Sequence, residues 1–142
     1  MQDGKVPDGL RPLREGLFVF EDGRPVALSA GRCEKCGATH FPARRMCGTC
    51  PPGTKIRPHR LSEHGTVYTC TVVHVPSALG HRPPYAYGYV DLPADGTRIF
   101  APLDGDPDTP WAPGMAVSLV FGEVVASAMP GVLGYAFRQD GR

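Results

Sequence analysis

Four cysteines carry the plainest chemistry in this sequence. Cys33-Glu34-Lys35-Cys36-Gly37 and Cys47-Gly48-Thr49-Cys50 form two Cys-x-x-Cys pairs with ten residues between them. Each pair brings its two sulfurs together in a tight knuckle, and two pairs this close supply four thiolates to one tetrahedral ion. Gly37 and Gly48 suit knuckles that need a positive φ or a close backbone approach to sulfur. Two disulfides and four unrelated buried thiols are the alternatives, and the doubled spacing favours a metal site of Cys33, Cys36, Cys47 and Cys50. Such a site is structural, because four thiolates close the shell whereas a catalytic zinc keeps a position open for water. One Zn(2+) is the expected ion. Iron is the lesser alternative, since rubredoxin-like carriers use the same ligand set.

The remaining chemistry-bearing residues make no catalytic set. Cys70 lies mid-strand and reads as a small buried apolar residue; a nucleophile would need an electropositive setting and a base. His74, four residues on, sits too far along the strand for a direct hydrogen bond to be assumed. His40, His59, His64 and His81 have no metal-like spacing and read as surface or satisfied core residues. No Ser/His/Asp arrangement, phosphate loop or close carboxylate pair is present. Tyr85, Tyr87 and Tyr89 alternate and so share one face of a strand, opposite Ala86, Gly88 and Val90. Stacking of bases is one use of such a face; contact with a partner, or a structural role, is the favoured one.

The elements that position these residues follow from composition and pattern. The chain has 142 residues, 42% of them hydrophobic, with 18 glycines and 16 prolines. That richness in turn residues makes long helices improbable and short strands the expectation. Residues 1–30 read as an N-terminal docking segment and short hairpin. Glu21–Pro25 turns between strands Leu17–Phe20 and Val26–Leu28. Residues 31–60 are the metal ribbon. Within it Ala38–Arg44 is a strand and turn, Phe41 covers the metal, and Lys55–Arg60 leads away. Residues 61–142 hold five strands: Thr66–Val75, Tyr85–Leu92, Thr97–Leu103, Met115–Val125 and Val132–Arg138. The turns lie at 76–84, 93–96, 104–114 and 129–131. Five strands of this length match a small OB-type barrel, with an open sandwich as the alternative.

Charge is unevenly placed. The formal net charge is only +1, which implies no polyanion partner. Yet residues 31–60 carry seven bases (Arg32, Lys35, Arg44, Arg45, Lys55, Arg57, Arg60) against Glu34. With four thiolates and a divalent ion the ribbon keeps about +4. Residues 91–123 hold Asp91, Asp95, Asp104, Asp106, Asp108 and Glu123 against Arg98 alone. A nucleic-acid partner is disfavoured, because affinity there rests on neutralised phosphates. No apolar run could span a membrane and no signal segment opens the chain, and the cysteine set suits a reducing compartment, so the expected location is cytoplasmic.

The order of parts resembles the zinc-ribbon plus OB-fold family associated with acyl-CoA metabolism, first catalogued as a domain of unknown function. The resemblance rests on Gly31-Arg32-Cys33-x-x-Cys36-Gly37, Phe41-Pro42-x-Arg44 and Cys47-x-x-Cys50. It continues through Gly65-Thr66-Val67-x-Thr69-x-Thr71-x-Val73, Pro84-Tyr85, Val90-x-Leu92 and Gly134-Tyr135-Ala136-Phe137, covering about residues 15–138. It implies a mainly β chain with a rubredoxin-like ribbon followed by a five-stranded OB barrel. It further implies a non-catalytic accessory subunit, in a hetero-oligomer with a thiolase-like catalytic subunit. Relatives accompany thiolases, the hydroxymethylglutaryl-CoA synthase system, acetyltransferases of polyketide-type phenols, steroid side-chain aldolases and hydratase-type domains, in lipid or aromatic metabolism. The catalytic residues then belong to the partner, and acyl-CoA is a ligand of the complex. Arg44, Arg45, Lys55 and Arg57 are the first candidates to contact an anion, either coenzyme A phosphates or an acidic patch on the partner. Arg82, in a loop stiffened by Pro83-Pro84, is the second.

Overall fold

The computed structural model describes residues 10–105, 110–124 and 130–140. Asp106 and Asp108, Val125 at the end of the fourth expected barrel strand, Met129 of the last expected turn, and residues 1–9 of the leading segment lie outside them. The described residues form ten strands and no helix.

The hairpin comes first. β2 (Phe18–Glu21) and β3 (Arg24–Cys33) pair antiparallel. The two-residue turn between them places Asp22 at φ 53° and Gly23 at φ 77°. Two left-handed residues give a turn whose twist matches the strands it joins. β3 runs ten residues, far beyond the expected Val26–Leu28. Its second half pairs with β4 (Thr39–His40) and with β5 (Ile56–Arg60), which makes it the spine of the ribbon. β5 stands where the sequence pattern shows only a segment leading away from the second knuckle. Pro58 and three basic side chains obscure its pattern, and an outer strand, whose outward positions need no ladder donor, tolerates both.

The barrel strands are β6 (His64–Val73), β7 (Tyr85–Leu92), β8 (Thr97–Asp104), β9 (Ala116–Glu123) and β10 (Val132–Gln139). Neighbours run β10-β8-β7-β6-β9, and β9 pairs back to β10, so the sheet closes on itself. This is a five-stranded OB barrel. Alternation drives it: Ile99, Ala101 and Leu103 of β8 point inward while Arg98, Phe100 and Pro102 face out. Gly88 permits the tight pairing of β7 with β6, because a Cβ there would overlap the Thr69 carbonyl oxygen. The leading segment adds β1 (Arg11–Pro12), parallel to β10, through Arg11 N to Gly131 O and Leu13 N to Leu133 O, both 2.9 Å.

One core serves both parts. Phe18, Phe20, Leu28 and Ala30 from the hairpin join Leu61, Val67, Val90, Leu92, Ile99 and Phe137 in a single buried cluster. Phe18 also meets Phe121 edge-on, with centroids 5.8 Å apart. Phe18 is 1% exposed and Phe137 0%, and full burial of such a ring contributes roughly 1.5–3 kcal/mol.

Candidate metal centre and the surfaces around it

β3 delivers Cys33 to the first knuckle, and the chain then folds back on itself. Cys33 N donates to Ala38 O, and Gly37 N donates to Cys33 O, each at 2.9 Å. Gly37 sits at φ 78°, the backbone this turn demands. Gly48 does not behave in the same way. It is not among the positive-φ residues, and a Cβ there would meet nothing within 4 Å.

The four sulfurs of Cys33, Cys36, Cys47 and Cys50 all lie within 4.8 Å of one another. Cys33 and Cys50 are 3.7 Å apart and Cys36 and Cys47 3.6 Å. A tetrahedron with metal–sulfur bonds of 2.3 Å has edges of about 3.8 Å, so the residues fit one ion. These separations are metal-like and well beyond the roughly 2.05 Å of a disulfide bond, and all five cysteines are free thiols. The thiols are not equivalent. Thr49, by its hydroxyl and backbone, lowers Cys47 to about 5, with help from His40. Backbone hydrogen bonding from Cys36 lowers Cys33, whereas burial, reinforced by its neighbours, pushes Cys50 up to about 12. A cation at the centre relieves that repulsion and lets all four ionise.

His40, read as an ordinary surface or satisfied core residue, lies against this cluster. Its Nε2 is buried without a hydrogen-bond partner among the described residues. Phe41 meets Tyr135 of the barrel edge-on, with centroids 5.8 Å apart.

The ribbon is joined to the barrel through Asp95 in the β7–β8 turn. One carboxylate oxygen pairs with His59 Nε2 at 2.8 Å, and the other accepts from Ser62 N at 2.7 Å. Arg32 donates to Thr39 Oγ1 at 3.0 Å and to Asp95 O at 3.4 Å, and Thr97 Oγ1 donates to Thr39 O at 3.4 Å. Asp95 is only 9% exposed, so both its oxygens need these partners. In the sequence Asp95 was legible only as part of a turn; its partner His59 lies 36 residues away with no spacing to betray it.

The tyrosine strand has the expected sidedness. Gly88 and Val90 are buried, and Tyr89 on the other face is exposed. Outside, rings run in a row: His81 to Tyr85 at 5.4 Å, Tyr85 to Tyr87 at 6.3 Å, Tyr87 to Phe100 at 5.4 Å and Phe100 to Tyr89 at 5.9 Å. Cys70 is partly buried against the core. Arg44, Arg45, Lys55 and Arg57 are exposed, and none makes an ion pair among the described residues. Arg82 is also exposed, in the loop before β7. The Asp95 joint follows the other end of that eight-residue strand, about 25 Å away along its length. Arg82 is therefore remote from the joint with the ribbon.

A metal ribbon fused to an OB barrel defines a class of protein, and the matches narrow it. Residues 22–56 match the ChsH2 rubredoxin-like zinc ribbon domain and residues 58–122 the ChsH2 C-terminal OB-fold domain. The chain is 34% identical over 136 residues to a DUF35 domain-containing scaffold protein of Methanocaldococcus jannaschii, covering 92% of this chain and 95% of that one. A protein of the same description from Methanothermobacter thermautotrophicus is 29% identical over 113 residues, 78% of this chain and 84% of that one. A chain of the solved Ltp2–ChsH2(DUF35) aldolase superposes with a TM-score of 0.64 at 27% identity, covering 80% of this chain and 84% of that chain. This protein belongs to the DUF35 family.

Proposed function

We propose that this chain is a non-catalytic scaffold subunit of a thiolase-like acyl-CoA enzyme, a thiolase, acyltransferase or aldolase. It docks on that enzyme in a hetero-oligomer and helps bind or cover the acyl-CoA. The observation that carries this reading is the likeness over 80% of the chain to a component of an Ltp2–ChsH2(DUF35) aldolase. The ribbon holds one structural zinc ion, a closed shell that stiffens a surface and leaves the chemistry to the partner. Arg44, Arg45, Lys55, Arg57 and Arg82 are the cations offered to coenzyme A phosphates. The assembly works in a reducing compartment, the cytoplasm, where the thiolates persist; among the described residues no helix is long and apolar enough to cross a membrane.

Co-expression with the thiolase-type chain of the same organism tests the reading. A stable complex whose activity falls when this subunit is left out is the expected result. A partner that is fully active alone and never co-purifies would overturn it. Reversing Arg44 and Arg45 to Glu should raise KM for acyl-CoA while leaving kcat in place, the signature of lost uniform binding. The purified protein should be colourless; a red chromophore would mean iron.

The outward aromatic row favours a second reading, a single-strand nucleic-acid module. Phosphate neutralisation weighs against it, because Arg98 and Arg138 beside that row are held by Asp91 and Asp104. Salt-sensitive binding to single-stranded oligonucleotides at low ionic strength would restore it.

A further inference from the structure

The same aromatic row borders a groove of about 420 Å³ that four separate stretches of chain build together. Leu13 and Leu17 come from the leading segment, Phe41 and Pro42 from the ribbon, and Phe100 and Tyr135 from β8 and β10. The Tyr135 hydroxyl proton is committed, donating to Phe100 O at 2.9 Å, and leucine, proline and aromatic side chains make up most of the wall. Leu13 is 40% exposed and Phe100 48%, so the groove opens to the surface. Phe100 belongs both to the groove and to the row of Tyr85, Tyr87 and Tyr89.

Charges near this face sort into two kinds. Arg98 is paired with Asp91 and also lies 3.2 Å over the Tyr68 ring, and Arg138 is paired with Asp104. Arg14 lines the groove and is exposed. Arg44 and Arg45 lie two and three residues after Pro42 in the chain. None of these three has a carboxylate partner among the described residues.

We infer that this groove and its aromatic border are the surface on which the catalytic partner docks, seating an apolar side chain flanked by a carboxylate. The inference rests on the proposed scaffold function. A mainly apolar wall accepts a hydrocarbon anchor, and rigid aromatic rings around it exclude water from the contact. The unmatched Arg14 guanidinium in the groove wall selects a carboxylate beside that anchor, which sets orientation and on-rate more than affinity. Because ribbon, leading segment and barrel all contribute, the surface exists only while the metal ribbon stays fixed to the barrel. That gives a structural metal ion a role in assembly.

The test measures affinity of the intact, metal-loaded chain for the thiolase-type catalytic chain of the same organism. Phe100→Glu and Leu13→Glu, both at exposed positions, should each weaken binding tenfold or more. Arg14→Glu should slow association and flatten its salt dependence. Val72→Glu serves as the control: Val72 is 42% exposed and lies opposite Ala86, on the other face of the hairpin from the tyrosines. It should bind as the unaltered chain does. Metal content and the far-ultraviolet spectrum report folding for each variant, and Leu13→Ser replaces any glutamate variant that fails this check. If the unaltered chain binds while Phe100→Glu and Leu13→Glu stay within twofold of it, the docking surface is wrong and the scaffold reading survives. If Val72→Glu alone loses binding, the surface lies on the opposite face. If the unaltered chain does not bind, both proposals fall together.

Discussion

The ribbon and the barrel are held by different forces. Among the ribbon's described residues after Cys33, only Cys47 is buried before Leu61, and β4 is two residues long. Its order comes from four sulfurs drawn to one point. The barrel has β-strands of eight to ten residues closed into a ring, around a core of Val90, Leu92, Ile99 and Phe137, each at most 1% exposed. A module of some thirty residues cannot bury enough surface to stand alone, and a metal supplies what the core lacks. The barrel needs no such help. Between them lies a joint that uses neither device, a buried carboxylate shared between a histidine and a backbone amide.

Breaking the metal site should separate the two parts most sharply. Cys36→Ser and Cys47→Ser should each lose the ion and expose amides of residues 34–57 to fast hydrogen exchange. Barrel amides should stay protected, and so should β2 with the first half of β3, whose Phe18, Leu28 and Ala30 lie in the barrel core. Stoichiometric metal in both variants would contradict the four-thiolate site, and full loss of barrel protection would contradict separate stabilisation.

The converse experiment breaks the barrel and spares the metal. Gly88→Ala forces a methyl against the Thr69 carbonyl in the middle of β6–β7 pairing. A backbone atom cannot swing aside as a flexible side chain can, so the cost should be about 3 kcal/mol, the upper end of overpacking. Urea unfolding measures it. At concentrations of urea that keep the variant folded, its metal content should equal that of the unaltered chain.

How much of this was open to inspection beforehand differs between the two parts for the same physical reason. The cysteines declare themselves because metal chemistry needs a fixed ligand type at a fixed spacing. The barrel strands declare themselves because inward and outward residues alternate, and Tyr85–Leu92 was placed to the residue. What stayed hidden depends on contacts distant in sequence. β5 carries Pro58 and no alternation, and is a strand only because β3 offers it an edge. Asp95 gains meaning only when His59 and Ser62 arrive beside it. Phe41 packs on Tyr135, 94 positions later by residue number, a contact unreachable by any local rule.

The joint can be tested on its own. Asp95→Ala removes acceptors from both His59 and Ser62 N, which should cost about 2 kcal/mol. His59→Ala should cost less, because His59 is partly exposed and its loss leaves the carboxylate one strong partner. In a double-mutant cycle the two should be non-additive, with a coupling of about 1 kcal/mol. Simple additivity would mean that the two groups do not act together.

The smallest effect belongs to Tyr135, where barrel and ribbon meet across the groove. Burial raises its phenol from 10.0 to about 12. The folded chain therefore keeps the proton at pH values where the unfolded chain releases it. Stability from this group is complete below pH 10 and is lost as pH rises from about 10 to 12. Two units correspond to at most about 2.7 kcal/mol, and partial access of solvent to the ring reduces the expected loss to about 1–2 kcal/mol. Tyr135→Phe separates the cause. At pH 7 it should cost about 1 kcal/mol for the bond to Phe100 O, and between pH 10 and 12 its stability should fall less steeply than that of the unaltered chain. The two urea midpoints should therefore converge as pH rises. If they keep a constant separation, the phenol titrates alike in both states, and burial at the ribbon–barrel groove is weaker than its packing against Phe41 implies.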